Sequence, residues 1–193
     1  MDYLAINVRP RRNRQYCFLR DWPEELQDLR HRFGRGKPLG AEYPRDTRAY
    51  MSDREPGMEL PSLIGNTRSL LIVDTPLKAT IESVNEGPTE YLPLQIYNHK
   101  KRLASDEYFA VHPLGVWDSV DLEASEIEYH EGKVVAVDRL VLDRSKLDDV
   151  PDLFRVREDA YRYIVSERLW TAMLALEPEP TNLEATKLDV AGE

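Results

Sequence analysis

Apolar and polar positions alternate along this chain in short bursts, a pattern that predicts many brief strands and few helices. Tyr3 to Val8 alternates weakly and stops before Pro10, as a short strand does. Pro23 to Phe33 reads as a short helix: Asp21 can cap it, Pro23 stands near its first position, acids fill the first turn, bases the last, and Gly34 follows. Leu26, Leu29 and Phe33 share its inner face. Residues 34–59 carry Gly34, Gly36, Pro38, Gly40, Pro44, Pro56 and Gly57 among few aliphatics and read as a long irregular connection. Leu70 to Val73 is a short buried strand. Leu77, Ile81 and Val84 then recur at helical spacing, with Asp74, Thr75 or Ser69 as the cap, Pro76 just inside the start and Gly87-Pro88 at the end. Tyr91 to Tyr97 places Leu92, Leu94 and Ile96 on one face, and Pro93 argues for a sheet edge or a strand start. Tyr108 to His112 is a further strand. Val134 to Leu142 reads as a strongly buried one, and Leu153 to Val156 as a short one. Ile164-Val165 leads through Ser166 into a helix from Glu167 to Leu176, stopped by Pro178 and Pro180. Leu183 to Leu188 closes the series as an edge strand, with a loose tail at Ala191-Gly192-Glu193.

Strands outnumber helices, and the two kinds do not alternate regularly. This predicts an α+β fold with a mixed, mostly antiparallel sheet, a few packed helices and a small N-terminal lobe. The lobe boundary falls near residue 58, giving an N-terminal lobe at 1–58 and the main domain at 59–193. There is no internal repeat and no low-complexity run.

Composition narrows the classes. The 193 residues are 41% hydrophobic and 32% charged, too apolar for a disordered chain and long enough for a real core. The formal net charge of -9 disfavours non-specific nucleic-acid binding and suits a basic partner. Charge is uneven: residues 1–54 balance at +4 and residues 55–193 at -13. Cys17 is the single cysteine, so neither an intramolecular disulfide nor a cysteine zinc site can form. The N-terminus lacks the charge-then-apolar order of a signal peptide, and no stretch approaches the roughly 20 apolar residues of a membrane span. A cytoplasmic protein with no membrane contact is expected.

Motifs for chemistry are sparse. His31, His99, His112 and His130 include no pair at ligand spacing on a helix, and no metal or cofactor is expected. Gly34-Arg35-Gly36-Lys37 lacks the spacing of a phosphate loop, and Cys17 among Tyr16, Phe18 and Leu19 reads as a buried thiol. Arg9 to Arg14 beside Tyr16 and Phe18 is the one segment that suits nucleic acid, against the overall charge. Asp118, Asp121, Glu123, Glu126, Glu128 and Glu131 crowd into one stretch, too dense for a tuned catalytic pair and suited to a solvated rim or a docking face. Trp117 stands beside them as an anchor with acids around it, the usual composition of a binding hot spot.

Residues 108–174 carry a family resemblance. Tyr108-Phe109, Asp118, Asp121 and Ser125, then Leu140-Val141-Leu142-Asp143 with Lys146, Leu153-Phe154-Arg155, and Ile164-Val165-Ser166-Glu167 with Leu169 are similar to the pattern of bacterial immunity proteins found beside polymorphic toxins. The chain departs from it at His112, where an Asn-like residue is usual, and at Ser119, where Cys is common. The resemblance implies a non-enzymatic protein that binds and neutralises a cognate toxin. If that toxin is a nuclease its cleft is basic, and the acidic face at Trp117, Asp118, Asp121, Glu123, Glu126 and Glu128 is where it would dock. Two other readings stay open: a small enzyme whose site is assembled from scattered carboxylates and histidines, and a module that self-associates through a strand such as Tyr91 to Tyr97. The sequence leaves monomer and homodimer undecided.

Overall fold

The structure, a computed structural model, describes residues 2–10 and 13–192. Strand β1 (Tyr3–Ile6) is followed by β2 (Phe18–Leu19), the four-residue helix α1 (Arg30–Phe33), β3 (Arg48–Tyr50), β4 (Gly65–Asn66) and β5 (Leu71–Asp74). Helix α2 (Thr75–Val84) leads to the long pair β6 (Thr89–Tyr97) and β7 (Leu103–Pro113). A hairpin of β8 (Glu126–His130) and β9 (Lys133–Arg139) comes next, then β10 (Val141–Asp143), β11 (Leu153–Phe154) and β12 (Ile164–Ser166). Helix α3 (Glu167–Leu174), β13 (Ala185–Lys187) and β14 (Asp189–Ala191) complete the chain, so the fold is α+β.

Two four-stranded sheets organise it, ordered β3-β6-β7-β5 and β11-β12-β1-β13. Pairing is antiparallel except for β3 on β6, β2 beside β4 and β10 beside β14. The sheets divide the interior into three apolar clusters. Between them lies a core of Leu71, Val73, Leu77, Ile81, Val111, Val165, Leu169 and Met173, which buries the inner faces of α2 and α3. On the far side of the first sheet, Ile72, Leu92, Leu94, Ile96 and Tyr108 pack against Cys17, Leu26, Phe33, Leu39 and Met51, so residues from both sides of position 58 share one core. Beyond the second sheet, Tyr3, Val120, Leu142, Phe154, Val156 and Ile164 form the third. Because successive side chains in a strand point to opposite faces, β5 and β12 are buried on both sides, which is why Leu71–Val73 and Ile164-Val165 are apolar without a break. Full burial of a side chain such as Leu77 or Ile81 contributes about 1.5–3 kcal/mol.

Both longer helices begin on side-chain caps. Asp74 Oδ1 accepts from the Leu77 amide at 3.0 Å, which selects Asp74 among the three candidates, and Ser166 Oγ accepts from the Leu169 amide at 3.1 Å. At the other end of α2, Asn85 Oδ1 accepts from the Leu153 amide at 2.9 Å, tying that helix to β11.

Four expectations change. The helix over Pro23–Phe33 divides into a 3-10 turn at Glu24–Leu26 and α1, and neither piece has a side-chain cap. Phe33 packs against Trp22 and His112, and its carbonyl accepts from Arg155, so tertiary contacts set the path there. The Tyr91–Tyr97 strand is not an edge: β6 lies between β3 and β7. Its β3 partner covers only Gln95–Tyr97, and at Pro93 the outer neighbour is Tyr43, whose hydroxyl donates to the Pro93 carbonyl at 2.7 Å; a proline is tolerated where no ladder bond is missing. The buried Val134–Leu142 strand divides into β9, where no residue is fully buried, and β10, with burial starting at Leu140. Glu131 and Gly132 both hold left-handed φ (+50° and +74°), making a tight turn that pairs the valines with β8 and leaves Val137 to rest on the core. The tail is not loose through Ala191, which pairs in β14 beside Asp143 of β10; Glu193 lies outside the described residues. The Leu183–Leu188 strand does form an edge, as β13.

Candidate functional site

The acidic stretch starts on a segment held from both sides. The Trp117 amide donates to the Arg155 carbonyl at 2.7 Å, and the Arg157 amide returns a bond to the Trp117 carbonyl at 3.2 Å. Further on, the Asp121 amide donates to Val141 O and the Asp143 amide to Ser119 O, both at 2.9 Å. Ser119 and Val120 are thereby buried while Asp118 is left exposed and Asp121 half-buried. Trp117 is half-buried too: one side packs on the third core, and the residue also lines a cleft with Glu86, Asp148, Asp149 and Arg168.

The six expected partner-binding residues do not converge on a point. Asp118 faces Lys146 Nζ at 3.4 Å and Arg157 at 4.0 Å. Asp121 turns inward, where its Oδ1 accepts from the amides of Glu123 and Ala124 at 3.0 Å each, shaping the turn. Glu123 is exposed on that turn next to Leu122, and Glu126 and Glu128 are exposed along β8. The arrangement is a charged rim that runs from the cleft at Trp117 onto the β8–β9 hairpin. It suits electrostatic steering of a basic surface more than chemistry at one atom.

The hairpin is anchored through Ile127 and Val137, which pair across it and rest on the third core. Beyond them it is solvated. Tyr129 is 53% exposed and Val135 59% exposed; Val135 sits where the ladder shifts between Glu128 and Tyr129. A groove runs between Val134–Val137 and Arg157–Tyr161.

A buried polar centre escaped the sequence reading. Arg155 is 1% exposed and faces no carboxylate in its hydrogen bonds; it donates to the carbonyls of Phe33 (2.7 Å), Ala160 (3.2 Å) and Pro113, and its guanidinium lies 5.6 Å from the Tyr163 ring centroid. Burial pushes its pKa down from the usual arginine value. His112, with no exposed surface, donates from Nε2 to Lys37 O (2.9 Å) and stands 3.4 Å from Arg155. A cationic neighbour fixes the tautomer: Nε2–H donates to Lys37 O, and Nδ1 accepts from Arg155. Burial first, then the positive charges of Arg155 and Arg32, push His112 down to about 4, against the bond to Lys37 and the charge of Glu90. This centre fastens the Phe33–Lys37 segment to the end of β7 and to residues 155–160. The one signal in the sequence was an arginine inside an apolar run, Leu153-Phe154-Arg155-Val156.

Other sequence candidates resolve individually. Gly36 holds φ +60° and its carbonyl accepts from the Gly115 amide at 2.7 Å, so the glycine-rich turn is packed against the β7 exit. Burial pushes the Cys17 thiol up to about 12, consistent with the buried reading. In the basic segment, Arg9 donates to Ser69 Oγ at 2.9 Å, while Arg11 and Arg12 lie outside the described residues. Among the described residues no group of three or more His, Cys, Asp or Glu is placed to hold a metal ion, and no helix is long and apolar enough to cross a membrane.

Against known proteins, no curated sequence matches this chain. Residues 3–190 match the model of an immunity protein family (Imm11), which takes in both sheets and the hairpin as well as the segments that carried the resemblance. The chain therefore belongs to the Imm11 immunity protein family.

Proposed function

We propose that this protein binds a cognate toxin and neutralises it by contact alone, in the cytoplasm, with the rim from Trp117 through Asp118, Asp121, Glu123, Glu126 and Glu128 facing a basic, nuclease-type partner. The observation that carries this reading is the family match over residues 3–190, since immunity implies a toxin to be met. The charge distribution supplies the direction: the body carries -13 outside the first 54 residues, and exposed acids gather on the turn and on β8. Complementary potentials of this kind raise association rates and reject partners of the wrong sign.

Co-expression with a candidate toxin, the product of the gene adjacent to this chain's own gene, tests the reading. Cells should survive the toxin only when the chain is present, and the two proteins should co-purify. Glu123, Glu126 and Glu128 are the residues to reverse, because Asp118 and Asp121 also serve contacts within the chain. Replacing all three by Lys should slow association about tenfold at low salt and flatten its salt dependence. An unchanged on-rate would refute the acidic face while leaving the neutralisation itself standing.

A further inference from the structure

The β8–β9 hairpin leaves a strand edge whose charged residues and register shifts leave an apolar middle uncovered. Among the described residues β9 has one strand neighbour, β8. Its outer edge is about 24 Å long for seven residues. Edge strands are ordinarily blunted by charges, prolines or a covering segment, because a bare row of amides and carbonyls recruits other chains. Here the middle of the edge is Val134-Val135-Ala136-Val137, uncharged and β-branched at its three valines, with Val135 59% exposed. The segment Arg157–Tyr161 forms the opposite wall of a groove along these four residues instead of closing over them, and Tyr161 is 50% exposed.

We propose that this edge receives an extended, basic segment of the toxin, which adds to β9 as a strand and sets a Lys or Arg against Glu158. The proposal rests on the toxin-binding reading and names the element through which binding occurs. Two observations choose the occupant. Glu158 lines the groove, and its Oε2 is buried with no hydrogen-bond partner; a carboxylate oxygen in that condition is costly until a donor arrives. Acids lie near it as well, at Asp138 on β9, Glu131 in the turn and Glu126 and Glu128 on β8, while the two bases of β9 stand at its ends and Arg139 is paired with Asp189. A second copy of this chain fits poorly: antiparallel pairing of two β9 strands about Ala136 sets Lys133 opposite Arg139 twice, and like charges directly opposite are destabilising. Strand addition also suits recognition physically. Main-chain hydrogen bonds supply affinity, and pockets for alternate side chains supply selectivity.

The test measures binding of the adjacent-gene toxin to wild type, Val135→Lys and Glu158→Gln, with hydrogen exchange on the wild-type complex as a readout that needs no variant. Strand addition predicts that outward-facing amides within 134–138 slow by at least about tenfold on binding, that Val135→Lys weakens Kd at least about tenfold, and that Glu158→Gln weakens it several-fold, both variants melting within a few degrees of wild type. If wild type binds and protects cells while these amides stay fast and Val135→Lys keeps its Kd, the docking edge is refuted and the immunity reading survives. If wild type is a dimer that Val135→Lys dissociates without touching toxin affinity, the edge belongs to a second copy and the proposal is overturned. If wild type neither binds nor protects, the toxin reading itself fails and takes this proposal with it.

Discussion

His112 makes stability depend on pH between about 6.5 and 4. In the unfolded chain an imidazole takes its proton near 6.5, whereas burial beside Arg155 holds the folded group near 4. Above 6.5 both states are neutral and the residue contributes no pH dependence. As pH falls below 6.5 the unfolded state binds a proton that the folded state refuses, so stability is lost down to about 4, where the folded ring protonates too and the loss levels off. The depression corresponds to about 3.4 kcal/mol in full, and between pH 7.5 and 4.5 the linkage integrates to about 2.5 kcal/mol. Carboxylates titrate over the lower part of this range as well, so the quantity to measure is a difference. Urea unfolding of wild type and His112→Gln at pH 7.5, 6.0, 5.0 and 4.5 should give stabilities that differ by a constant at high pH. That difference should then move by about 2.5 kcal/mol against wild type as acid is added. A difference constant to within about 0.5 kcal/mol, or an imidazole titrating near 6.5 by NMR in the folded protein, would show that the ring is not held neutral as described.

Two further predictions concern the N-terminal third. A methyl on Gly36 would stand 2.4 Å from the Gly115 carbonyl oxygen at a left-handed φ, so Gly36→Ala should cost about 3 kcal/mol and lower the thermal midpoint by about 6–12 °C. Gly40→Ala, at similar φ with open space around it, should cost only about 1 kcal/mol, and equal losses at the two sites would discount the contact with Gly115. Cys17, buried and with its thiol pushed up to about 12, should resist an aromatic disulfide reagent in native buffer and react fully in denaturant; rapid native labelling would contradict its burial.

Where periodicity, caps and breakers agree, the sequence was legible. For α2, the apolar spacing of Leu77 and Ile81, the Asp74 cap and Pro76 all point the same way, and the helix stands where they put it. The Ser166 cap and the inner face of α3 were equally plain. Difficulty came where the deciding partner is far along the chain. Val134 to Val137 carries the pattern of a core strand, but the two-residue turn at Glu131-Gly132 commits those residues to a hairpin that touches the core through Val137 and exposes Val135. Pro93 pointed to an edge because nothing local announces that Arg48–Tyr50 will return to cover only the later half of β6. The acidic rim was visible as composition. That Asp118 meets Lys146 and Arg157, and that Asp121 spends its carboxylate on a turn, depends on the way residues 117–121 are held between two other segments. Arg155 was hidden for the same reason: its acceptors are three carbonyls, from Phe33, Pro113 and Ala160, and carbonyls have no sequence signature.

The second sheet sets a timetable for synthesis. Its interior strand, β1, leaves the ribosome long before its partners, for it pairs with Ile164–Ser166 on one side and Ala185–Lys187 on the other. At about 5–20 residues per second, Tyr3–Ile6 waits roughly 10–40 s with both edges open before its neighbours exist. A nascent chain that stops short of these partners cannot close that sheet, so the folded state lags the synthesis of β1 by this interval plus the time needed for such long-range pairing.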